Sequence, residues 1–153
     1  MDLKNLAQFL ARANKETYAN KSAPKVSSSR QASEDYHFEN GDWKYHDTYF
    51  GARDFIGEEI VYFREKPVWG ANYFGFIVDE ARETREVYDF LRQALLQESA
   101  GSIPVRGPQE FSLGNAKYFF IANGSLESFS GEETILFDGK LAYRCLVHGG
   151  VIR

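Results

Sequence analysis

The sequence predicts an α+β fold made by internal duplication of a helix plus antiparallel β-meander unit, with the two copies packed about a pseudo-twofold axis into one domain. Three observations lead there. The stretch "FIGEEIVYFREK", Phe55 to Lys66, returns as "FSGEETILFDGK", Phe129 to Lys140, with Phe, Gly, both Glu, the next Phe and the Lys in register. A segment of helical period precedes each copy, and segments rich in aromatic and β-branched residues, broken by short turns, surround each copy.

The second block lies 74 positions after the first, and the same offset pairs Gly75 with Gly149 and Trp69 with Tyr143. Upstream the offset is 73, pairing Phe38 with Phe111, Gly41 with Gly114, Lys44 with Lys117, Tyr45 with Tyr118 and Gly51 with Gly124. One inserted residue before Phe129 explains the change. "FLARA" at Phe9 and "FLRQA" at Phe90 are 81 apart, so the second connector is eight residues shorter.

The first helix reads Leu3, Leu6, Leu10, Ala13, with Asp2 as its cap; the second reads Val87, Leu91, Ala94, Leu95, stopped by Gly101 and Pro104. The strands after the first helix are "DWKYHDTYF", "DFIGEEIVYF" and "PVWGANYFGF"; those after the second are "AKYFFIA", "ESFSGEETILF" and "LAYRCLV". Ala19 to Asp35, "ANKSAPKVSSSRQASED", has no period and reads as a long mobile loop, residues 19–35, that only the first copy carries. The chain is thus expected to be a single domain, 1–153, with one repeat over about 1–78 and the other over about 79–153. Neither half alone has enough chain to enclose a good core.

Composition narrows the function classes. With a net charge of −4 and no run of Lys or Arg, direct nucleic-acid binding is not expected. Cys145 is the only cysteine, which excludes an intrachain disulfide and a cysteine zinc site and fits a cytoplasmic protein. No membrane-spanning or export segment is legible. The three His lack metal-ligand spacing, and there is no nucleophile elbow or glycine-rich phosphate loop. No metal and no cofactor are expected. The aromatic content of 16% is high and suits a half-buried sheet or a roomy pocket.

Strand parity puts Phe55, Gly57, Glu59, Val61 and Phe63 on one face, and Phe129, Gly131, Glu133, Ile135 and Phe137 on the matching face of the second copy. Each copy therefore turns one carboxylate to its apolar side, where it must be paired, protonated or facing a wet cavity. A bulge at either glycine would turn Glu58 and Glu132 inward instead. Lys44 and Lys117 are candidate partners in a purely structural role. Asp47 and Asn72 mark asymmetry, since their counterparts are Phe120 and Leu146. Arg106 is either a clamp on a carboxylate, a partner of Glu59, or an exposed loop cation. Trp69 and Tyr73 share a face of the most aromatic segment.

The pieces "KYHDTYFG", "FIGEE", "PVWGANYFG", "VRGP", "FSGEE" and "GGVI" together resemble a bacterial family of unknown function whose members occur alone or behind a helix-turn-helix in predicted transcription regulators. The resemblance points to Asp47, Tyr49, Gly51, Phe55, Gly57, Glu59, Trp69, Asn72, Tyr73, Arg106, Gly107, Pro108, Glu133 and Gly149. Ala71 stands where Met is expected and Val105 where Tyr is expected. The resemblance implies no activity, but it implies a sensor or oligomerisation unit, similar at fold level to effector-binding domains of multidrug-sensing regulators.

The expectation is a small-molecule ligand site in an inter-repeat cleft lined by Glu59, Glu133, Asp47, Tyr49, Trp69, Asn72, Tyr73 and Arg106. Two alternatives stay open: a hydrolase using the two glutamates as general acid and base, and an interaction module or homodimer without a small-molecule site.

Overall fold

The computed structural model describes residues 2–97, 103 and 106–153. Gly101, Pro104 and Val105 lie outside them. Among the described residues the chain runs α1 (Leu3–Glu16), β1 (Glu34–Asn40), β2 (Trp43–Gly51), β3 (Phe55–Phe63), β4 (Lys66–Ile77), α2 (Thr84–Leu95), β5 (Glu110–Leu113), β6 (Ala116–Ser125), β7 (Ser128–Phe137) and β8 (Lys140–Val151). This is an α+β fold. Its eight strands form one antiparallel sheet in the order β1-β2-β3-β4-β8-β7-β6-β5. Two meanders thus meet along β4 and β8, where Tyr73 pairs with Val147.

Each helix forms for local reasons and seats through one ring. The Asp2 carboxylate accepts from the Lys4 N–H at 2.9 Å, capping α1. Leu6, Phe9, Leu10 and Ala13 are its buried stripe. Phe9 lies 5.7 Å from Phe38 and 5.4 Å from Trp43. On α2, Val87, Phe90, Leu91 and Ala94 are buried, and Phe90 lies 5.7 Å from Phe111. Full burial of each such large apolar side chain is worth about 1.5 to 3 kcal/mol, which is what holds helices this short on the sheet.

Turn and bulge geometry recurs between the halves. Gly41 and Gly114 both have φ of +62°, and Gly51 and Gly124 have φ of +98° and +100°, conformations that glycine adopts at little cost. The ladder shifts register between Val61 and Tyr62 on β3 and again between Ile135 and Leu136 on β7. Both irregularities fall beyond the glutamates, not at the glycines, so Glu59 and Glu133 stay on the helix-covered face while Glu58 and Glu132 point to the other.

Strands β1 and β5 extend the two meanders beyond the three strands legible in each half. They are the edges of the sheet. Residues 34 and 35, read from the sequence as the end of a loop, open β1. The segment before it wraps this edge. Val26 makes an antiparallel bridge with Asp35, and the fully buried Asp35 carboxylate accepts from the hydroxyls of Ser29 at 2.6 Å, Ser33 at 2.5 Å and Thr48 at 2.9 Å, with His46 Nε2 at 2.7 Å. Burial pushes this carboxyl up, but the four hydrogen bonds outweigh it and hold Asp35 well below the usual carboxylate range. Asp35→Ala, which strands these donors together, is expected to cost about 2 to 4 kcal/mol in urea unfolding at pH 7. The wild-type advantage should shrink as pH falls below about 4, where the unfolded carboxyl takes up its proton first.

Candidate functional site

A cavity of about 200 Å³ lies between the sheet and the two helices. Its floor comes from β2, β3 and β4, through Tyr45, Asp47, Tyr49, Phe55, Glu59 and Tyr73. Asn14, Tyr18 and Ala19 close one side, Tyr88, Arg92 and Leu95 of α2 another, and Lys25, Glu34, Gly51, Ala52 and Arg106 complete the lining. Six of the lining residues are aromatic, Tyr18, Tyr45, Tyr49, Phe55, Tyr73 and Tyr88, and charged or amide side chains stand among them, a mixture that a small polar ligand can use.

The inner polar cluster follows from register. Asp47 and Glu59 are direct cross-strand partners on β2 and β3, so alternation puts both carboxylates side by side on the cavity face. They are 3% and 4% exposed. The Tyr73 hydroxyl donates to Asp47 Oδ1 at 2.5 Å. Gly57 makes that contact possible, because a β-carbon there would collide with the Tyr73 hydroxyl and the Thr48 carbonyl. Glu59 is less well served. Its Oε1 is 4.0 Å from Arg106 Nη1, and its Oε2 is buried without a hydrogen-bond partner among the described residues.

Desolvation dominates both carboxyls. Burial lifts Asp47 to about 6, against the Tyr73 hydrogen bond and the charge of Arg106. Burial, then the neighbouring charge of Asp47, lifts Glu59 to about 8, which Arg106 and the Tyr45 hydroxyl only partly offset. At neutral pH Glu59 therefore holds its proton.

Glu133 sits in a different environment although the sequence sets it as the counterpart of Glu59. It is fully buried and completely engaged. Arg106 donates to it through Nε at 2.9 Å and Nη2 at 2.8 Å, Tyr118 donates at 2.8 Å and Tyr143 at 3.0 Å. Arg106, with a side chain 8% exposed, is thus neither a loop cation nor primarily the partner of Glu59. Lys44 pairs with Glu65 and Glu39 and reaches neither buried glutamate.

Of the eight residues expected to line the cleft, the structure brings Asp47, Tyr49, Glu59, Tyr73 and Arg106 to the cavity. Three others are elsewhere. Glu133 lies behind Arg106. Trp69 is fully buried, donating to the Leu126 carbonyl at 3.0 Å and stacked 6.0 Å from Phe129. Asn72 is exposed on the other sheet face, registered between Glu58 and His148. Sequence reasoning missed Tyr18, Tyr45, Tyr88 and Arg92. Tyr45 carried a signal in its repeat pairing with Tyr118, one of the three residues that donate to Glu133; the other three come from helical or loop positions that carry none.

Phe120, buried, stands where the first half has Asp47, and its ring packs beside Gly131. Among the described residues no cluster of three His, Cys, Asp or Glu has the geometry to hold a metal, and no helix is long and apolar enough to cross a membrane.

The chain belongs to a family described as a domain of unknown function, DUF5680, whose family model matches residues 47–152. No curated protein and no solved structure matches the chain.

Proposed function

We propose that this domain is a sensor-like unit that binds a small organic ligand in the cavity over β2, β3 and β4. The observation that carries the reading is the buried Oε2 of Glu59 at the cavity wall, which has no hydrogen-bond partner among the described residues. An unsatisfied buried polar atom costs about 1 to 3 kcal/mol, so a folded protein keeps one where something else completes it.

Internal duplication supports the same reading. Bulges at Val61/Tyr62 and Ile135/Leu136, matched glycine φ values, and Phe9 on Phe38 against Phe90 on Phe111 all recur at the sequence offsets. Tyr73 and Val147, which correspond at an offset of 74, also pair with each other, as residues beside a pseudo-twofold axis must. On that ancestry the two glutamates began alike. The second half then satisfied Glu133 with Arg106 and filled its space with Phe120, whereas the first half put Asp47 beside Glu59 and left room.

A hydrolase would have to run on Asp47 and Glu59, because Glu133 is closed off by Arg106, Tyr118 and Tyr143. Self-association has its own observation: Ile56, Phe74 and Leu146 form an exposed cross-strand row on the outer face. Sedimentation across concentration separates this from ligand binding, since a monomer throughout removes it.

Thermal unfolding against a broad metabolite library tests the ligand reading. Ligands at 100 to 1,000 times their dissociation constant should add roughly 3 to 4 kcal/mol, and Glu59→Gln should lose the shift. A library without hits overturns it.

A further inference from the structure

Resting on the ligand-binding reading, we infer that the cavity takes an organic cation with N–H donors, a protonated primary or secondary amine or an amidinium on an aromatic or short aliphatic body, with its head seated between Asp47 and Glu59. The argument starts from which charges already have partners. Three cationic side chains line the cavity, and each is held by an acid other than the inner pair. Lys25 pairs with Glu34. Arg92 Nη1 is 3.8 Å from Asp89 and its guanidinium lies 4.7 Å over the Tyr18 ring. Arg106 is bound through two nitrogens to Glu133 and reaches Glu59 only at 4.0 Å. Among the described residues, Asp47 and Glu59, adjacent across the ladder, are the lining acids with no cation closer than Arg106 at 4.0 Å from Glu59.

The donor inventory points the same way. Among the described residues the Tyr73 hydroxyl donates to Asp47 Oδ1, the Tyr45 hydroxyl stands beside Glu59, and Glu59 Oε2 accepts from no donor. Without a cation beside it Glu59 keeps its proton; a cationic head seated there displaces that proton to solvent and leaves two neighbouring carboxylates that accept through both oxygens of each. A ligand that brings N–H groups and a positive charge completes both deficits together. A carboxylate ligand would meet two acids and an arginine already occupied.

The rings decide the rest of the ligand. Tyr18, Tyr49, Phe55 and Tyr88 surround the space above the acids, giving faces for cation–π contact and apolar area for a body. The mouth already shows the preference at work within the chain: Lys25 Nζ lies 5.8 Å over the Tyr49 ring while paired with Glu34, which also accepts from the Tyr49 hydroxyl at 3.2 Å. The cavity is small, so the body is at most about one ring with a short linker.

Four matched probes test this: 2-phenylethylamine, its N,N,N-trimethyl analogue, 2-phenylethanol and 3-phenylpropanoate. Each is titrated at pH 7 by calorimetry and thermal shift against wild type, Glu59→Gln, Asp47→Asn and the outer-face control Glu132→Gln. The expected result is binding of the amine at least tenfold tighter than the alcohol, weaker binding of the trimethyl analogue, and none of the carboxylate. Glu59→Gln and Asp47→Asn should each weaken the amine at least tenfold, with Glu132→Gln unchanged. Preference for the alcohol or carboxylate overturns the cation inference and leaves the ligand reading standing. Equal binding of amine and trimethyl analogue overturns the N–H requirement. If none of the four binds, hits from the neutral or anionic members of a broad library likewise overturn only the cation inference, whereas silence across every class overturns both.

Discussion

Arg106→Met is expected to destabilise the domain by about 3 to 5 kcal/mol at pH 7, the cost of leaving a buried carboxylate without its counter-ion. Glu133 is fully buried, and Arg106 supplies its only cation through two hydrogen bonds among the described residues. Tyr118 and Tyr143 would still donate to it, but two neutral hydroxyls do not offset a desolvated charge. Glu133→Gln in the Arg106→Met background should recover more than additivity allows, because the double variant removes both charges. Urea unfolding of the four proteins in this cycle measures it. A single-variant cost under about 1 kcal/mol would show that the pair is not the internal tie it is taken to be.

Glu59→Gln is expected to act in the opposite sense at alkaline pH, making the protein more stable than wild type. Glu59 rises from its ordinary 4.5 to about 8, mainly by burial, and Asp47 from 3.8 to about 6. Below about 4.5 both folded and unfolded Glu59 are protonated and its stabilisation is fully present. Between 4.5 and 8 the folded chain keeps a proton that the unfolded chain has released, so stability falls as pH rises. Above 8 the contribution is lost. One proton corresponds to about 1.4 kcal/mol per pH unit, so the total is on the order of 5 kcal/mol for Glu59, with Asp47 adding to the fall at the acid end. Asp35 works against this below about pH 4, where the loss of its depressed ionisation destabilises the fold. Wild type should therefore be most stable near pH 4 to 5, and Glu59→Gln should flatten the decline by about one proton. Chemical unfolding of both proteins from pH 4 to 9 decides the matter: parallel curves would mean that Glu59 is ionised in the folded state.

Much of the fold was legible because its signals are local. The helical stripes at Leu6, Leu10 and Ala13 and at Val87, Leu91 and Ala94 need only a period, and the burial of Glu59 and Glu133 needs only alternation along a strand. Strands β1 and β5 escaped notice for the same reason. They are edge strands, β5 only four residues long, and their inward positions are few, Tyr36 and Phe38 in β1 and Phe111 in β5. An edge strand is specified by the neighbour it pairs with more than by its own pattern.

The candidate site divides along a similar line. From sequence came the asymmetry at Asp47, opposite Phe120 in the second copy, and the presence of one inward glutamate in each half. The choice of Arg106 for Glu133 over Glu59 was not there to be read, because it depends on where a loop from one half comes to rest against strands of both. Nor were Tyr18, Tyr88 and Arg92, which reach the cavity from a loop and from α2.

By itself, then, the sequence determined the two helices, the six longer strands and the face on which each glutamate lies, since backbone geometry imposes those periods residue by residue. Only the tertiary structure decided which glutamate is neutralised, which is left with an empty acceptor, and where space remains. Charge pairing and cavities are distances between elements far apart in the chain, and no local period encodes them.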